Sequence, residues 1–318
     1  MATLAQFAEQ LDLRPELTWP APPEVHRTKS KPHLKPLPQV RAVTWNVYGT
    51  LLAISGGELL REHPQKFITD LALDKTIQEF KMWKAMSRKP GHPAEYMRVM
   101  IGNVLDAMLF LVEKGETHPE TLHEKIWEGI IRKLMQNEYT VDTGKYGSLE
   151  EMSLKVAYFY NRCLQGVGAQ ADAADTVQWI KDSNLWQGLL ADGQAYTGLH
   201  LQRSLQQQNP SVLAEFCIPS SHRVLSHALK SRKPSDKLYK EMIRRLKEFG
   251  ISPQETLHVS NDLSNDLLPA KKHGFLTCLF TGDSQSLRAK PEEVADPNNR
   301  PTVMVTQLTQ IVQMLAAE

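Results

Sequence analysis

Residues 40–50 read Val-Arg-Ala-Val-Thr-Trp-Asn-Val-Tyr-Gly-Thr, an apolar and β-branched run that stops at a glycine. Runs of this length and composition predict a buried β-strand, and the Tyr-Gly-Thr sequence predicts a turn at its end. We therefore predict that residues 40–47 form the first strand of a buried sheet and that a loop begins near Asn46.

Beyond Gly147, strand-like and helix-like segments alternate along the chain. The predicted strands are 186–191, 256–259, 276–280 and 302–305. The predicted helices are 149–165, 173–182, 197–207, 235–249, 267–273 and 308–315. Because such alternation is typical of a parallel sheet covered by helices, the predicted fold class is α/β.

The remaining segments predict two further parts of the chain. Residues 58–146 carry apolar residues at helical spacing, which predicts a helical insertion after the first strand. Residues 1–39 contain a short amphipathic stretch and a basic, proline-rich run, which predicts an extended arm or, as the alternative, a docking tail. The predicted domains are thus an arm at 1–39, a core at 40–57 and 147–318, and a helical domain at 58–146.

Composition narrows the class of protein. Of 318 residues, 41% are hydrophobic, and 37 Lys and Arg balance 36 Asp and Glu, so the net charge of +1 argues against nucleic acid as a partner. No apolar stretch reaches the 18 or more residues of a membrane span, and the N-terminus lacks a secretory pattern. The three cysteines lack metal-binding spacing. We expect a cytoplasmic protein with a small-molecule ligand and no membrane or nucleic-acid partner, and oligomeric state stays open.

Ligand sites of open parallel sheets lie at the carboxyl ends of the strands. The loops to consider are therefore 46–50, 191–194, the region of Lys233, and 261–266.

Three stretches in these loops carry a family resemblance: 46–52 (NVYGTLL), 233–239 (KPSDKLY) and 258–266 (HVSNDLSND). In order and spacing they resemble the motifs of the haloacid dehalogenase-like (HAD) hydrolase superfamily, over about residues 40–316. The resemblance implies a Rossmann-like parallel core with an inserted helical cap of type one, which in the family selects small soluble substrates.

The same resemblance marks departures at the catalytic positions. Asn46 stands where the family has an aspartate nucleophile, and a neutral carboxamide is a much weaker nucleophile. Tyr48 replaces the general acid and base of the phosphatase branches, and Ala191 replaces a hydroxyl residue. Lys233 matches the family lysine that offsets negative charge. The implied catalytic positions are Asn46, Tyr48 and Lys233.

The fourth motif implies a magnesium site that is altered in this chain. Asn261 replaces a carboxylate, whereas Asp262 and Asp266 remain, so Mg²⁺ binding is expected to be possible but weakened. The candidate metal ligands are Asp266, Asp262 and Asn261. The candidate ligand-binding residues are Thr50, Asp192, Lys233 and Asn265.

These residues leave two functional hypotheses open. In the first, the fold is retained as a ligand-binding or scaffold module and hydrolysis is reduced or lost. In the second, the chain is an active hydrolase of a small phosphate ester or 2-haloacid, with Asp192 or Asp262 as nucleophile or base. A minor third reading is an interaction protein that works through residues 1–39.

Overall fold

The computed structural model describes residues 2–86 and 91–316, and its elements fall into two compact units. The strands are β1 (Ala42–Trp45), β2 (Leu52–Ala53), β3 (Gly168–Ala169), β4 (Trp186–Ala191), β5 (Arg223–Leu225), β6 (Thr256–Ser260), β7 (Leu276–Phe280) and β8 (Val303–Val305).

The α-helices before residue 170 are α1 (Leu4–Asp12), α2 (Lys66–Glu79), α3 (Trp83–Met86), α4 (Pro93–Phe110), α5 (His123–Met135), α6 (Thr143–Tyr146) and α7 (Leu149–Leu164). Those after it are α8 (Ala173–Asp182), α9 (Thr197–Gln208), α10 (Ala214–Cys217), α11 (Ser226–Leu229), α12 (Asp236–Glu248), α13 (Leu268–Lys272), α14 (Pro291–Ala295) and α15 (Thr309–Ala316).

The first unit, residues 22–59, 167–193 and 197–318, contains a six-stranded parallel sheet in the order β5-β4-β1-β6-β7-β8. Strand β1 pairs on both sides, so that Thr44 lies opposite Gly188 on β4 and opposite His258 on β6. Every residue of β1, β4 and β6 is buried, as expected for strands covered by helices on both faces. The predicted α/β Rossmann-like core is confirmed.

Two parts of this unit were not predicted. Edge strand β5 has only three residues, too few for a periodic signal, and pairs with the last three residues of β4. Strands β2 and β3 form an antiparallel pair of two residues each, joining segments more than 100 positions apart.

The second unit, residues 1–21, 60–166 and 194–196, is helical. Helix α7 packs against both α2 and α5, and it buries even Lys155, whose Nζ donates to the carbonyl of Tyr146 at 2.8 Å. For this reason α7 groups with the helices before it. The unit therefore differs from the predicted helical domain at 58–146, which ended before α7 and left out residues 1–21.

The predicted arm is also more structured than its composition indicates. Thr3 caps α1 with its side chain. Farther along, His33 exchanges two backbone hydrogen bonds with Met304 on edge strand β8, at 2.8 and 2.9 Å, and Leu37 is buried in the core of the sheet unit. An unpaired sheet edge offers free backbone groups to any extended segment, which explains how a proline-rich run becomes ordered there. Among the described helices, none has the length and apolarity to cross a bilayer.

Gly188 supplies a test of the packing in β4. A Cβ there would lie 2.5 Å from the Trp186 ring and 2.7 Å from the carbonyl oxygen of His222. We expect Gly188→Ala to lower the free energy of unfolding by about 1–3 kcal/mol, the usual cost of overpacking. Urea unfolding measures the change.

The matched control is Gly102→Ala in α4, where no atom beyond the adjoining backbone of the helix lies within 4 Å of the added Cβ. Because alanine is the better helix former, this variant should be neutral or more stable by up to about 1 kcal/mol. Equal destabilisation by both substitutions would contradict the packing argument.

Candidate functional site

The carboxyl edge of the sheet brings four loops of one unit together. Asn46 follows β1, Asp192 follows β4, Lys233 lies between α11 and α12, and residues 261–266 follow β6. This grouping follows from the parallel strand directions. The side chains then connect through hydrogen bonds that sequence spacing does not reveal.

Asn46 lies at the centre of the network. Its Nδ2 donates to the carbonyl of Tyr48 at 3.0 Å and to Oδ1 of Asn261 at 2.9 Å. Its Oδ1 accepts a hydrogen bond from Nζ of Lys233 at 3.3 Å. Each amide atom thus faces groups of the complementary kind, so both polar ends of the side chain are engaged within the protein.

Lys233 is buried next to the Asn46 amide. Its Nζ donates to Oδ2 of Asp266 at 2.5 Å and to the carbonyl of Leu190 at 2.7 Å, as well as to Asn46. The side chain is 4% exposed. An ammonium has three N–H donors, and all three have protein acceptors here.

Asp266 is the buried counter-ion of Lys233. Its other oxygen, Oδ1, accepts from His258 Nε2 at 2.8 Å and from the Tyr239 hydroxyl at 3.2 Å. Burial alone would raise the pKa of Asp266, but the charges and hydrogen bonds of His258 and Lys233 outweigh it and hold the pKa well below its usual range. The carboxylate is therefore ionised and its oxygens are occupied.

His258 and Tyr239 were missed by sequence reasoning. His258 is fully buried on β6, where its Nδ1 lies 3.0 Å from the Thr44 hydroxyl. Burial and the neighbouring Asp266 raise the pKa of Tyr239 well above its usual value. The sequence places His258 within a predicted strand, but its spacing does not reveal that it contacts Asp266, eight residues later.

Thr50 and Asn261 form hydrogen bonds with each other. The Thr50 hydroxyl donates to Oδ1 of Asn261 at 3.1 Å and accepts from the backbone N–H of Asn261 at 3.0 Å. Nδ2 of Asn261 donates to the carbonyl of Ser286 at 2.6 Å. Gly49 has a φ of +80°, and a Cβ there would lie 2.2 Å from this Nδ2, so the close approach requires glycine.

Tyr48 points away from this network. It is 2% exposed, and its hydroxyl lies 3.1 Å from both Thr197 Oγ1 and His200 Nδ1 on α9. Although Tyr48 was a catalytic candidate, the structure places its ring in the core, because the turn after Asn46 directs that side chain toward α9. Ala191 is buried and contributes only a methyl group.

A charged rim surrounds the site. Asp192 is half-buried, its Oδ1 accepts the backbone N–H of Lys233 at 2.9 Å, and Nε of Arg232 lies 3.8 Å from its Oδ2. Glu58 lies between two arginines, 2.6 Å from Arg288 and 3.6 Å from Arg232. Glu58, Arg232 and Arg288 were not predicted, because they lie outside the motifs and nothing in their local sequence distinguishes them from surface charges.

Asp262 is bound on both of its oxygens. Its Oδ1 accepts the backbone N–H of Asn265, and its Oδ2 lies 2.9 Å from Nε of Arg288. Burial raises the pKa of both Asp262 and Asp192. Asn265 is exposed, and its amide lies 3.3 Å from Asp262, so it completes the turn.

The candidate metal ligands thus comprise one amide and two carboxylates that already have cationic partners. Across residues 2–86 and 91–316, no group of three or more His, Cys, Asp or Glu side chains is arranged to hold a metal ion.

The buried ion pair gives a stability test. We expect Lys233→Met to lower the free energy of unfolding by about 3–5 kcal/mol, because it leaves the Asp266 charge without its ammonium partner. The double variant Lys233→Met/Asp266→Asn should lose less than the single variant, since the buried charge is then absent. Urea unfolding of both proteins measures this, and a single variant within about 1 kcal/mol of wild type would contradict it.

Comparison with known proteins concerns the fold. No family model matches the chain, and no curated protein matches it. Among solved structures, a 2-haloacid dehalogenase from Pseudomonas syringae pv. Tomato DC3000 is 16% identical, with 87% of this chain and 98% of that chain covered and a TM-score of 0.52. A HAD phosphatase from Thermococcus onnurineus is 16% identical, with 88% and 99% covered and a TM-score of 0.45. A magnesium-bound putative HAD-hydrolase, YfnB from Bacillus subtilis, is 16% identical, with 87% and 99% covered and a TM-score of 0.43. The sheet order, the loop positions and the likeness to the Pseudomonas dehalogenase show that this chain has the HAD-type α/β fold.

Proposed function

We propose that this chain is a ligand-binding or scaffold module on a HAD-type fold and that it has lost hydrolysis. The observation that carries the proposal is that the Asn46 amide forms hydrogen bonds with Tyr48, Asn261 and Lys233. The position that would supply a nucleophile is therefore part of an internal hydrogen-bond network.

The chemistry of the amide supports this proposal. Covalent hydrolysis at this position requires an oxygen that attacks the substrate and later leaves, a role that a carboxylate performs. A carboxamide oxygen carries no formal charge, and here it also accepts a hydrogen bond from an ammonium group. Both features lower its nucleophilicity.

The same amide also argues against a magnesium ion. Nδ2 of Asn46 donates to two oxygens, the Tyr48 carbonyl and Asn261 Oδ1, so this end of the side chain presents N–H groups rather than oxygen lone pairs. Mg²⁺ favours oxygen ligands with negative charge. Asp266 is ion-paired with Lys233 and hydrogen-bonded to His258, and Asp262 is ion-paired with Arg288. These donors do not fit Mg²⁺, and we derive no catalytic step from it.

Tyr48 does not supply a general acid either. Proton transfer requires a group within hydrogen-bond reach of the reacting atoms. Tyr48, two residues beyond Asn46, has its hydroxyl directed at α9. What remains at the rim is a set of charged side chains that can contact a small ligand, of which Asp192, Arg232 and Glu58 are all at least 29% exposed.

One observation favours the alternative of a rearranged hydrolase. Asp192 adjoins Lys233, retains exposure, and has a pKa raised by burial, so it could exchange a proton nearer to neutral pH than an ordinary aspartate. On this alternative, Asp192→Asn would abolish a turnover that the wild-type protein possesses.

The proposal is tested by hydrolysis of p-nitrophenyl phosphate and of 2-chloropropionate, with and without Mg²⁺. We expect no turnover above background from the wild-type chain, because Asn46 supplies no carboxylate. Asn46→Asp tests whether the nucleophile alone is missing, and Asn137→Asp makes the same chemical change at an exposed position outside the site as a matched control. Wild-type turnover that Lys233→Ala or Asp192→Asn abolishes would overturn the proposal.

A second test addresses the metal. In Asn46→Asp/Asn261→Asp, carboxylate oxygens replace the amide bridge, so without a cation the like charges should lower the melting temperature. Adding Mg²⁺ should raise the melting temperature again, because an ion present at one hundred times its dissociation constant stabilises the folded state by about 2.7 kcal/mol. The wild-type melting temperature should not respond, and an equal Mg²⁺ response in the wild type would contradict the misfit.

A further inference from the structure

Glu58 lies between two guanidinium groups at the rim of the candidate site. Its Oε2 is 2.6 Å from Nη1 of Arg288 and 3.6 Å from Nη2 of Arg232, so a single carboxylate oxygen is within reach of both arginines. We refer to these three residues, which all belong to the sheet unit, as the Glu58 cluster. The two cations thus converge on a position that a carboxylate oxygen can occupy.

The side chains of the Glu58 cluster are accessible to solvent. Those of Glu58, Arg232 and Arg288 are 41%, 46% and 32% exposed. Exposed ion pairs contribute little to stability, because solvent screens their charges and because holding two long side chains in one geometry costs entropy. The Glu58 carboxylate can therefore leave the arginines and become hydrated at small cost.

Arg232 has hydrogen-bond donors that the protein does not use. Its Nη2 lies 3.6 Å from Glu58 and its Nε lies 3.8 Å from Oδ2 of Asp192, and both distances are longer than a hydrogen bond. Among the described residues, the Arg232 guanidinium donates no hydrogen bond to a protein acceptor. Because a guanidinium presents its donors as a planar fork that binds a carboxylate bidentately, Arg232 can bind a carboxylate that approaches more closely than Glu58 does.

Arg288 is held in place independently of Glu58. Its Nε lies 2.9 Å from Oδ2 of Asp262, and this ion pair does not involve Glu58. When the Glu58 carboxylate moves away, Asp262 still orients the Arg288 guanidinium. Its Nη1 then faces the position that the Glu58 oxygen has left.

The charges around the cluster permit the exchange of one carboxylate for another. With the neighbouring Asp192 and Asp262, the cluster contains three acids and two arginines. A ligand carboxylate that replaces Glu58 keeps the ion pairs with both arginines, while Glu58 becomes hydrated. Binding then depends on the hydrogen bonds that the ligand adds to Arg232 rather than on a surplus of positive charge.

We propose that Arg232 and Arg288 bind the carboxylate group of a small ligand and that Glu58 is an internal carboxylate that fills this position until the ligand displaces it. This inference rests on the proposed function, because it names the ligand class of the same site. Since Glu58 is part of the chain, its effective concentration at the arginines is high, and it lowers the apparent affinity for the ligand.

The test is a titration of propionate into the full chain, followed by NMR on the ligand signals. Glu58→Gln replaces the competing carboxylate by a neutral amide of similar shape, so we expect propionate to bind it at least about tenfold more tightly than the wild type. The gain should disappear in Glu58→Gln/Arg232→Gln, which lacks the fork of donors. Both side chains are partly exposed, so the variants should keep their fold, which circular dichroism checks.

Glu215→Gln on α10 is the matched control. Glu215 is 59% exposed and lies 2.8 Å from a single arginine, Arg223, outside the candidate site. Its substitution removes the same negative charge, and propionate binding should stay within about twofold of the wild type, because exposed charges at a distance are screened.

Four results would each overturn the inference: no propionate binding to Glu58→Gln, a gain that persists without Arg232, an equal gain in Glu215→Gln, or tighter binding of inorganic phosphate than of propionate. Propionate has no leaving group, so its binding is measured without turnover. Wild-type hydrolysis would therefore overturn the proposed function and leave these binding results standing, whereas the four results concern the carboxylate site alone.

Discussion

The buried ion pair between Lys233 and Asp266 is the interaction on which the candidate site depends. It joins the loop before α12 to the loop after β6, and the same ammonium group reaches the end of β4 through Leu190 and the end of β1 through Asn46. Removing one partner of a buried pair leaves an uncompensated charge in the interior, which costs about 3–5 kcal/mol. An exposed ion pair contributes only about 0–1 kcal/mol. The positions of the four loops therefore follow from where this charge is neutralised.

Around the ion pair, neutral amides occupy positions where charged oxygens would repel one another. Asn46 and Asn261 share a hydrogen bond, and each also binds backbone carbonyls, at Tyr48 and Ser286. An amide can donate and accept at once, whereas an ionised carboxylate can only accept. The network is thus closed by protein groups alone, which supports the proposal that this HAD-type fold has lost hydrolysis.

The amino-acid sequence by itself determined the alternation of strands and helices from residue 186 onward, the parallel core, and the residue types at Asn46, Lys233, Asn261 and Asp266. These follow from local periodicity and from the rule that ligand loops lie at the carboxyl ends of parallel strands. The sequence also indicated that the position after β1 lacks a carboxylate.

Only the tertiary structure decided which side chains meet. The Lys233 contact to Asn46 spans 187 residues, the direction of Tyr48 depends on α9, and the roles of His258, Glu58 and Arg288 come from neighbours that no spacing identifies. The grouping of α7 with the earlier helices and the pairing of His33 with β8 have the same origin. Local sequence sets backbone preference and burial, but contacts between distant residues depend on the path of the whole chain and on which groups remain unpaired when it folds.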